Sequence, residues 1–185
     1  MKGKFTVKDI VFIGVFAAVI AVMSQLSIPT PWGIPITLQT FAVALTGFAL
    51  GKWKGTMATF VYILIGLVGV PVYSNFGAGP AKLFGLTGGF IWGFLFLAFA
   101  SGWVESLQMK WLSIFLSIAG LLICHGCGAV QFAIVSNRTF WEAFLLASAP
   151  YLVKDIISIV IAYGLAIPIR KAMGMTGAAE KKTVD

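Results

Sequence analysis

The chain has 185 residues, of which 59% are hydrophobic and 10% are charged, with a formal net charge of +7 and a mean hydropathy of +0.99. A soluble globular domain has about a quarter of its residues charged, so this chain has too little polar surface to coat a water-soluble particle. The composition excludes a soluble enzyme, a disordered chain and a secreted disulfide scaffold. It indicates an integral membrane protein with no room for a catalytic domain outside the membrane.

A long charge-free segment lies near the start of the chain. Residues 10–51 carry no charge, and this stretch is too long for one spanning helix of about 20 residues. Prolines at 29, 31 and 35 interrupt it. We therefore predict a helix over 10–28, a short loop, and a second helix over 35–50, because proline is tolerated at the first position of a helix.

The rest of the chain divides into apolar runs separated by charges and turn-forming residues. A third helix is predicted over 55–70, and the glycine-rich stretch over 71–89 is interpreted as a long ordered loop or a candidate site. A short helix over 139–148 is expected to lie in the membrane interface. The remaining spans are predicted over 88–102, 111–136 and 150–169. The predicted fold class is an all-α integral membrane protein with six transmembrane helices, a single domain over 1–185 with flexible tails near 1–8 and 173–185.

The distribution of basic residues predicts the orientation, because cytoplasmic loops carry most of the lysine and arginine of a membrane protein. The opposite side of the six-span arrangement holds only Lys82 and Arg138, and Lys154 belongs to the sixth helix. Both termini are therefore predicted to be cytoplasmic, on the side that holds Lys2, Lys4, Lys8, Lys52, Lys54, Lys110, Arg170, Lys171, Lys181 and Lys182.

Lys154 and Asp155 form an ionisable pair at membrane depth, where such groups are rare and indicate function. Adjacent helical residues point about 100° apart, so the pair is not simply self-neutralising. Asp155 shares a helix face with Tyr151 and Ser158, and it is expected in the first turn of its helix, where the helix dipole favours an anion. We interpret it as a ligand-binding carboxylate at the outward mouth of the bundle, with anchoring of its own helix start as the alternative.

Cys124, His125 and Cys127 look like a metal-binding motif, but no acidic or second imidazole group lies within ten residues. Neighbouring glycines favour close helix packing instead, so no metal or cofactor is expected. His125 is the single histidine of the chain and is expected to make a hydrogen bond within the bundle. The chain also has no P-loop motif and is not expected to bind ATP through one.

Small residues form two ridges on the first helix. Ala17 and Ala21 are four residues apart, as are Gly14 and Ala18 beside them, and this spacing lets helix backbones approach closely in a membrane. The ridge of Ala17 and Ala21 is expected either to pack within the chain or to dock a second membrane subunit.

Four segments of the chain form a distinctive set: IPITLQT at 34–40, LGKWKG at 50–55, YILIGLVGVPVY at 62–73 and GLTGGF at 85–90. Together they resemble the BioY family, the biotin-binding S components of energy-coupling factor (ECF) transporters. The resemblance implies a six-helix substrate-binding subunit of the prokaryotic cell membrane, not an enzyme, that captures biotin outside the cell. It also implies delivery with a transmembrane T component and two cytoplasmic ABC-type ATPases, to which the ridge of Ala17 and Ala21 would dock.

The resemblance further implies the residues of a biotin site. Asp155 matches the aspartate of the family's Pro-Gly-Asp-x-x-Lys element, the partner of the ureido ring, while Ser158 stands at its lysine position and Lys154 at its glycine position. In the loop after the third helix, Gly77 stands at the family's asparagine or serine position, and Asn75 lies two residues earlier. The candidates for the aromatic walls of such a site are Trp32, Tyr73, Phe76 and Tyr151, and the alternative for each is anchoring in the membrane interface.

Biotin presents two ureido N–H donors, a carbonyl, an apolar chain and a carboxylate, so its site needs an acceptor, apolar walls and a cation. Asp155 is expected to accept from the ureido group, Asn75 or Ser158 to donate to its carbonyl, and Lys154 or Lys82 to bind the carboxylate. The proline-rich loop over 29–35 is expected to act as a lid over the outer mouth.

Two alternatives stay open. The first keeps the architecture and replaces biotin with another vitamin. The second is a membrane-embedded lipid-modifying enzyme that uses Asp155, His125 and Lys154, and it requires at least two of these groups to converge in one cavity.

Overall fold

A computed structural model describes residues 6–31, 33–103 and 110–174. In these ranges the chain is mostly helical and also contains a 3₁₀ turn at Ser74–Phe76 and an antiparallel ribbon of two short strands, β1 (Ser27–Ile28) and β2 (Ile36–Thr37). The predicted tails fall largely, and Trp32 wholly, outside the described residues. The helices are α1 (Val7–Gln25), α2 (Gln39–Leu50), α3 (Lys52–Leu67), α4 (Pro80–Leu83), α5 (Gly88–Gly102), α6 (Lys110–Ser136), α7 (Phe140–Ala147) and α8 (Ala149–Ala172).

Three of the described helices, α1, α6 and α8, are long and apolar enough to cross a membrane, and α2 and α5 are apolar but shorter. The 12 residues of α2 span about 18 Å at 1.5 Å per residue, which is less than a hydrocarbon core of about 30 Å. The prediction that this helix begins at Pro35 is wrong by four residues, because the chain before Gln39 forms β2 instead. Extended backbone inside a membrane protein requires hydrogen-bond partners for its N–H and C=O groups.

The junction of α2 and α3 also differs from its prediction. Gly51 ends one helix and precedes the other with a φ of +80°, a left-handed conformation that glycine adopts without strain. This sharp reversal places Lys52 and Lys54 in the first turn of α3 rather than in a loop. The third helix therefore begins three residues earlier than predicted, at Lys52.

The core is built around α2, which has eleven of its twelve residues buried and packs against α8, α5 and α3. Beside it, α5 lies very close to α6. A Cβ atom on Gly89 would stand 2.2 Å from the carbonyl oxygen of Cys127, and one on Gly93 would stand 2.7 Å from the Cα atom of Cys124. These two glycines, one turn apart on α5, permit the backbone approach that membrane helices use in place of a hydrophobic driving force.

The short helix α7 agrees with the prediction of a helix over 139–148. Thr139 and Glu142 form a capping box in which each side chain accepts from the other residue's backbone N–H. The bond from the Thr139 N–H lowers the pKa of the Glu142 carboxyl, because it stabilises the charged form. Trp141 and Leu145 are exposed, and the location of α7 in the membrane interface stays a prediction.

The two ridges of α1 face different ways. Ala17 is only 1% exposed and belongs to the core, and Ala21 is partly buried against it. Gly14 and Ala18 are exposed, and a Cβ atom on Gly14 would meet no other atom within 4 Å. Of the two uses expected for the ridge of Ala17 and Ala21, the structure therefore places Ala17 in packing within the chain.

Candidate ligand-binding cavity

A cavity lies where α2, α5, α6 and α8 meet the segment before α2. About 560 Å³ of unoccupied space lies among its lining residues, a volume that includes space open to the surroundings. Most of its wall surface is apolar, and its charged side chains are those of Lys154 and Asp155. It is lined by Ile34, Pro35, Thr37, Gln39, Thr40, Ser74, Thr87, Phe90, Ile91, Phe94, Cys124, His125, Ala147, Tyr151, Lys154 and Asp155.

The charged end of the cavity is a hydrogen-bonded cluster centred on Asp155. This residue is only 3% exposed. Its Oδ1 accepts a hydrogen bond from the Lys154 ammonium, and its Oδ2 lies 3.1 Å from His125 Nε2. A buried carboxylate is tolerated when it is paired and hydrogen-bonded in this way. The expectation that Lys154 and Asp155 do not neutralise each other is therefore wrong in part, because the long lysine side chain reaches back to its neighbour.

Asp155 also lies deeper in its helix than predicted. Because α8 begins at Ala149, no acidic residue occupies its first turn. The helix dipole, whose effect is confined to the first and last turns, therefore does not account for this carboxylate. Lys154 and His125 account for it instead.

Two side chains of α8 hold the segment that precedes α2. The Tyr151 hydroxyl donates to the carbonyl oxygen of Ile34, and the Lys154 ammonium donates to that of Thr37 at 3.0 Å. Thr30 donates to the same Ile34 oxygen at 2.6 Å. These bonds supply the partners that extended backbone needs inside a membrane protein, and they fix one rim of the cavity to the helix that carries its charges.

The apolar wall comes mainly from α5. Phe90, Ile91 and Phe94 line the cavity, and the Phe90 ring meets the His125 ring edge-on, with centroids 5.5 Å apart. From α2, the Gln39 amide nitrogen donates to the Tyr62 hydroxyl at 2.5 Å, which orients the glutamine at the edge of the cavity.

Of the residues predicted for the site, the structure brings Asp155, Lys154 and Tyr151 together at the cavity. Ser158 is buried one turn further along α8 and does not line it. Trp32 lies outside the described residues. The loop residues Asn75, Gly77, Tyr73 and Phe76 also do not line the cavity.

Each of these loop residues has another place in the structure. Tyr73 is fully buried, with its ring against Gly66 and its hydroxyl donating to the Ile63 carbonyl oxygen at 2.7 Å. Asn75 is exposed, with its Oδ1 accepting from Ser27, and Phe76 is 72% exposed. Both residues have positive φ values, of 56° and 54°. Among residues 73–77, Ser74 alone lines the cavity.

The sequence did not reveal the α5 wall or the contact between His125 and Asp155. These two residues are thirty positions apart on different helices. The available signal was that both are isolated ionisable groups in neighbouring apolar helices, which must find partners when buried. The convergence of Asp155, His125 and Lys154 also meets the geometric requirement stated for the enzyme alternative.

Comparisons with known proteins place this chain in a family. The BioY family model matches residues 1–175. The Biotin transporter BioY of Thermotoga maritima is 34% identical over 167 residues, covering 89% of this chain and 96% of that protein. The Biotin transporter BioY2 of Lactococcus lactis subsp. cremoris is 32% identical over 163 residues, covering 86% and 89%.

The fold is also shared with a solved structure. The crystal structure of the S-component for biotin from an ECF-type ABC transporter superposes with a TM-score of 0.74 at 24% identity, covering 88% of this chain and 94% of that one. The predicted resemblance is therefore confirmed over nearly the whole chain: this protein belongs to the BioY family.

Proposed function

We propose that this chain is the substrate-binding S component of an ECF-type transporter and that it captures biotin for uptake. The proposal rests on one observation. The BioY family model matches residues 1–175, and the chain encloses a cavity in which Lys154 and His125 hydrogen-bond to a buried aspartate. The relatives are named as biotin transporters. Because the family is one of transporter subunits, the chain is not an enzyme, and the lipid-modifying alternative is wrong despite the convergence of its three groups.

The chain is a membrane protein, and the proposal gives it six spans in the prokaryotic cytoplasmic membrane with both termini in the cytoplasm. The long helices α1, α6 and α8 support this arrangement, together with the shorter apolar helices α2 and α5. We assign the sixth span to α3. The excess of basic residues at the loops and termini of one side supports the orientation.

The cavity offers biotin a complementary set of groups. Asp155 accepts two hydrogen bonds within the protein, and a carboxylate has about four acceptor sites, so it keeps capacity for a ureido N–H. Lys154 carries a positive charge for an anionic or carbonyl oxygen. The fused rings and the aliphatic chain would lie against Phe90, Ile91 and Phe94, where burial of apolar surface contributes about 25 cal/mol per Å².

Equilibrium binding to the purified full-length protein tests this function. We expect saturable binding of labelled biotin, displaced by unlabelled biotin and not by a panel of other vitamins such as thiamine and riboflavin. Saturable binding of another vitamin in place of biotin would keep the architecture and overturn the substrate.

We further propose that the exposed face of α1 around Gly14 and Ala18 docks the transmembrane T component, which works with two cytoplasmic ATPases. Ala17 is buried, so the docking surface lies one ridge away from the one predicted, with Ala21 at its edge. Small residues on an exposed helix face allow a partner helix to approach closely.

A leucine at position 14 tests the docking face. We expect Gly14→Leu to reduce co-purification of the T component severalfold while biotin binding is unchanged, since no atom lies within 4 Å of the position of the added Cβ. Gly164→Leu on α8 is the matched control, because Gly164 is also an exposed helical glycine with nothing within 4 Å. Equal co-purification of both variants with the partner would place the docking surface elsewhere.

A further inference from the structure

One ring nitrogen of the cavity has no hydrogen-bond partner. Among the described residues, two buried side-chain polar atoms lack one, His125 Nδ1 and Ser101 Oγ. Of these two residues, only His125 lines the cavity. The side chain is 97% buried, since its exposed fraction is 3%. Buried polar atoms are paired in most native structures, so an orphan atom at a cavity needs an explanation.

The surroundings of the ring decide which kind of partner it lacks. The Lys154 ammonium already balances the charge of Asp155, so a neutral His125 leaves the buried cluster with no net charge, as a low-dielectric site favours. Because Asp155 Oδ2 is an acceptor, His125 Nε2 carries the ring proton and donates to it. In this tautomer Nδ1 has a free lone pair and is a hydrogen-bond acceptor.

The remaining neighbours of the ring do not supply a donor. Phe90 presents the edge of its ring. Ser148 donates to the His125 backbone carbonyl at 3.2 Å and not to the ring. The adjacent Cys124 thiol is directed at the Phe90 carbonyl oxygen, 3.5 Å away. A donor for Nδ1 is therefore missing from the described residues that contact the ring.

We propose that His125 Nδ1 accepts a hydrogen bond from an N–H group of the bound ligand, which makes His125 a specificity-determining residue. The inference rests on the proposed function, in which the ligand is biotin and the N–H belongs to its ureido ring. Asp155 already accepts from Lys154 and His125. A ligand with two N–H donors can therefore bond one of them to Asp155 and the other to Nδ1 of His125. A ligand without an N–H leaves the nitrogen unpaired and binds more weakly.

Two substitutions separate this role from a purely structural one. In His125→Gln the amide reaches about as far as Nε2, so it keeps the donor to Asp155 and leaves no acceptor at the position of Nδ1. In His125→Asn the amide oxygen replaces Nδ1 as an acceptor, and the bond to Asp155 is lost. Biotin and its two singly N-methylated ureido analogues are the ligands.

We expect wild-type protein and His125→Asn to bind biotin about tenfold more tightly than the analogue methylated at the nitrogen that faces Nδ1. His125→Gln should lose this preference, because it binds biotin about tenfold more weakly. If the histidine only positions Asp155, the opposite pattern results, with His125→Gln behaving as wild type. That outcome would overturn the inference and leave the proposed function standing.

A spectroscopic measurement on the unmodified protein is independent of any substitution. Because His125 is the single histidine of the chain, ¹⁵N-histidine labelling gives one pair of ring resonances. We expect a neutral ring protonated at Nε2, with a Nδ1 resonance that moves when biotin is added. A resonance that does not move while biotin binds would refute the role of Nδ1, whereas absence of any biotin binding would refute the proposed function itself.

Discussion

Replacement of Asp155 by alanine is expected to weaken biotin binding at least 100-fold, or by about 2.8 kcal/mol. The substitution removes the acceptor shared by Lys154 and His125 and the acceptor proposed for the ligand. Hydrogen bonds to charged groups contribute about 1.5–3 kcal/mol each, and donors left without partners in a buried site add to the loss. Equilibrium binding of labelled biotin to purified protein measures the effect.

Two comparisons show whether the effect belongs to the site. Asp155→Asn keeps the shape of the side chain and one acceptor oxygen, and its amide nitrogen then faces either Lys154 or His125, so we expect nearly the same loss. Glu142→Gln removes an exposed carboxylate of α7 that does not line the cavity, and it should leave biotin binding unchanged. Wild-type affinity in a folded Asp155→Ala protein would remove Asp155 from the binding site.

The second large effect is expected at the contact between α5 and α6. Gly89→Ala would place a Cβ atom 2.2 Å from the Cys127 carbonyl oxygen, and this backbone atom cannot move without separating the two helices. We expect the substitution to lower the free energy of unfolding by about 3 kcal/mol, at the upper end of the usual range for overpacking. Because Phe90 follows Gly89 and lines the cavity, biotin binding should fall as well.

Gly126→Ala is the matched control for this prediction. Gly126 lies within α6, next to the residue that Gly89 contacts, but no atom stands within 4 Å of its added Cβ. The higher helix propensity of alanine should leave stability unchanged or raise it by up to about 1 kcal/mol. Thermal unfolding of both variants in the same detergent measures the difference, and equal midpoints would show that α5 and α6 do not pack as described.

The bounds of a helix could be predicted from the sequence where its ends are marked by residues close to them in the chain. The bounds of α5 agree with the prediction, since two glycines precede its apolar run and the run ends at Gly102. The start of α2 does not agree. Proline at 35 is compatible with a helix start, but the carbonyl groups of Ile34 and Thr37 bond to Tyr151 and Lys154. Partners more than a hundred residues away leave no mark in the local pattern.

The same limit applies to the cavity. Asp155, Lys154 and Tyr151 could be singled out because a charge or a hydroxyl in an apolar helix needs a partner. The aromatic residues of the wall could not be singled out, because Tyr73 and Phe90 are both aromatic residues near glycines in apolar stretches. The Tyr73 ring packs in the core against Gly66, which has no side chain to obstruct it and lies in a different element. Phe90 reaches the cavity because the glycines before it bring α5 against α6.

The bonds from α8 to the segment before α2 have a consequence for biogenesis. Tyr151 and Lys154 each lie 117 positions after the carbonyl group they satisfy. While the ribosome is still translating, α1 and α2 have already emerged, yet the peptide groups between them lack these partners. The cavity is therefore incomplete until α8 has been made, because a nascent chain that stops before α8 lacks three of its lining residues, Tyr151, Lys154 and Asp155.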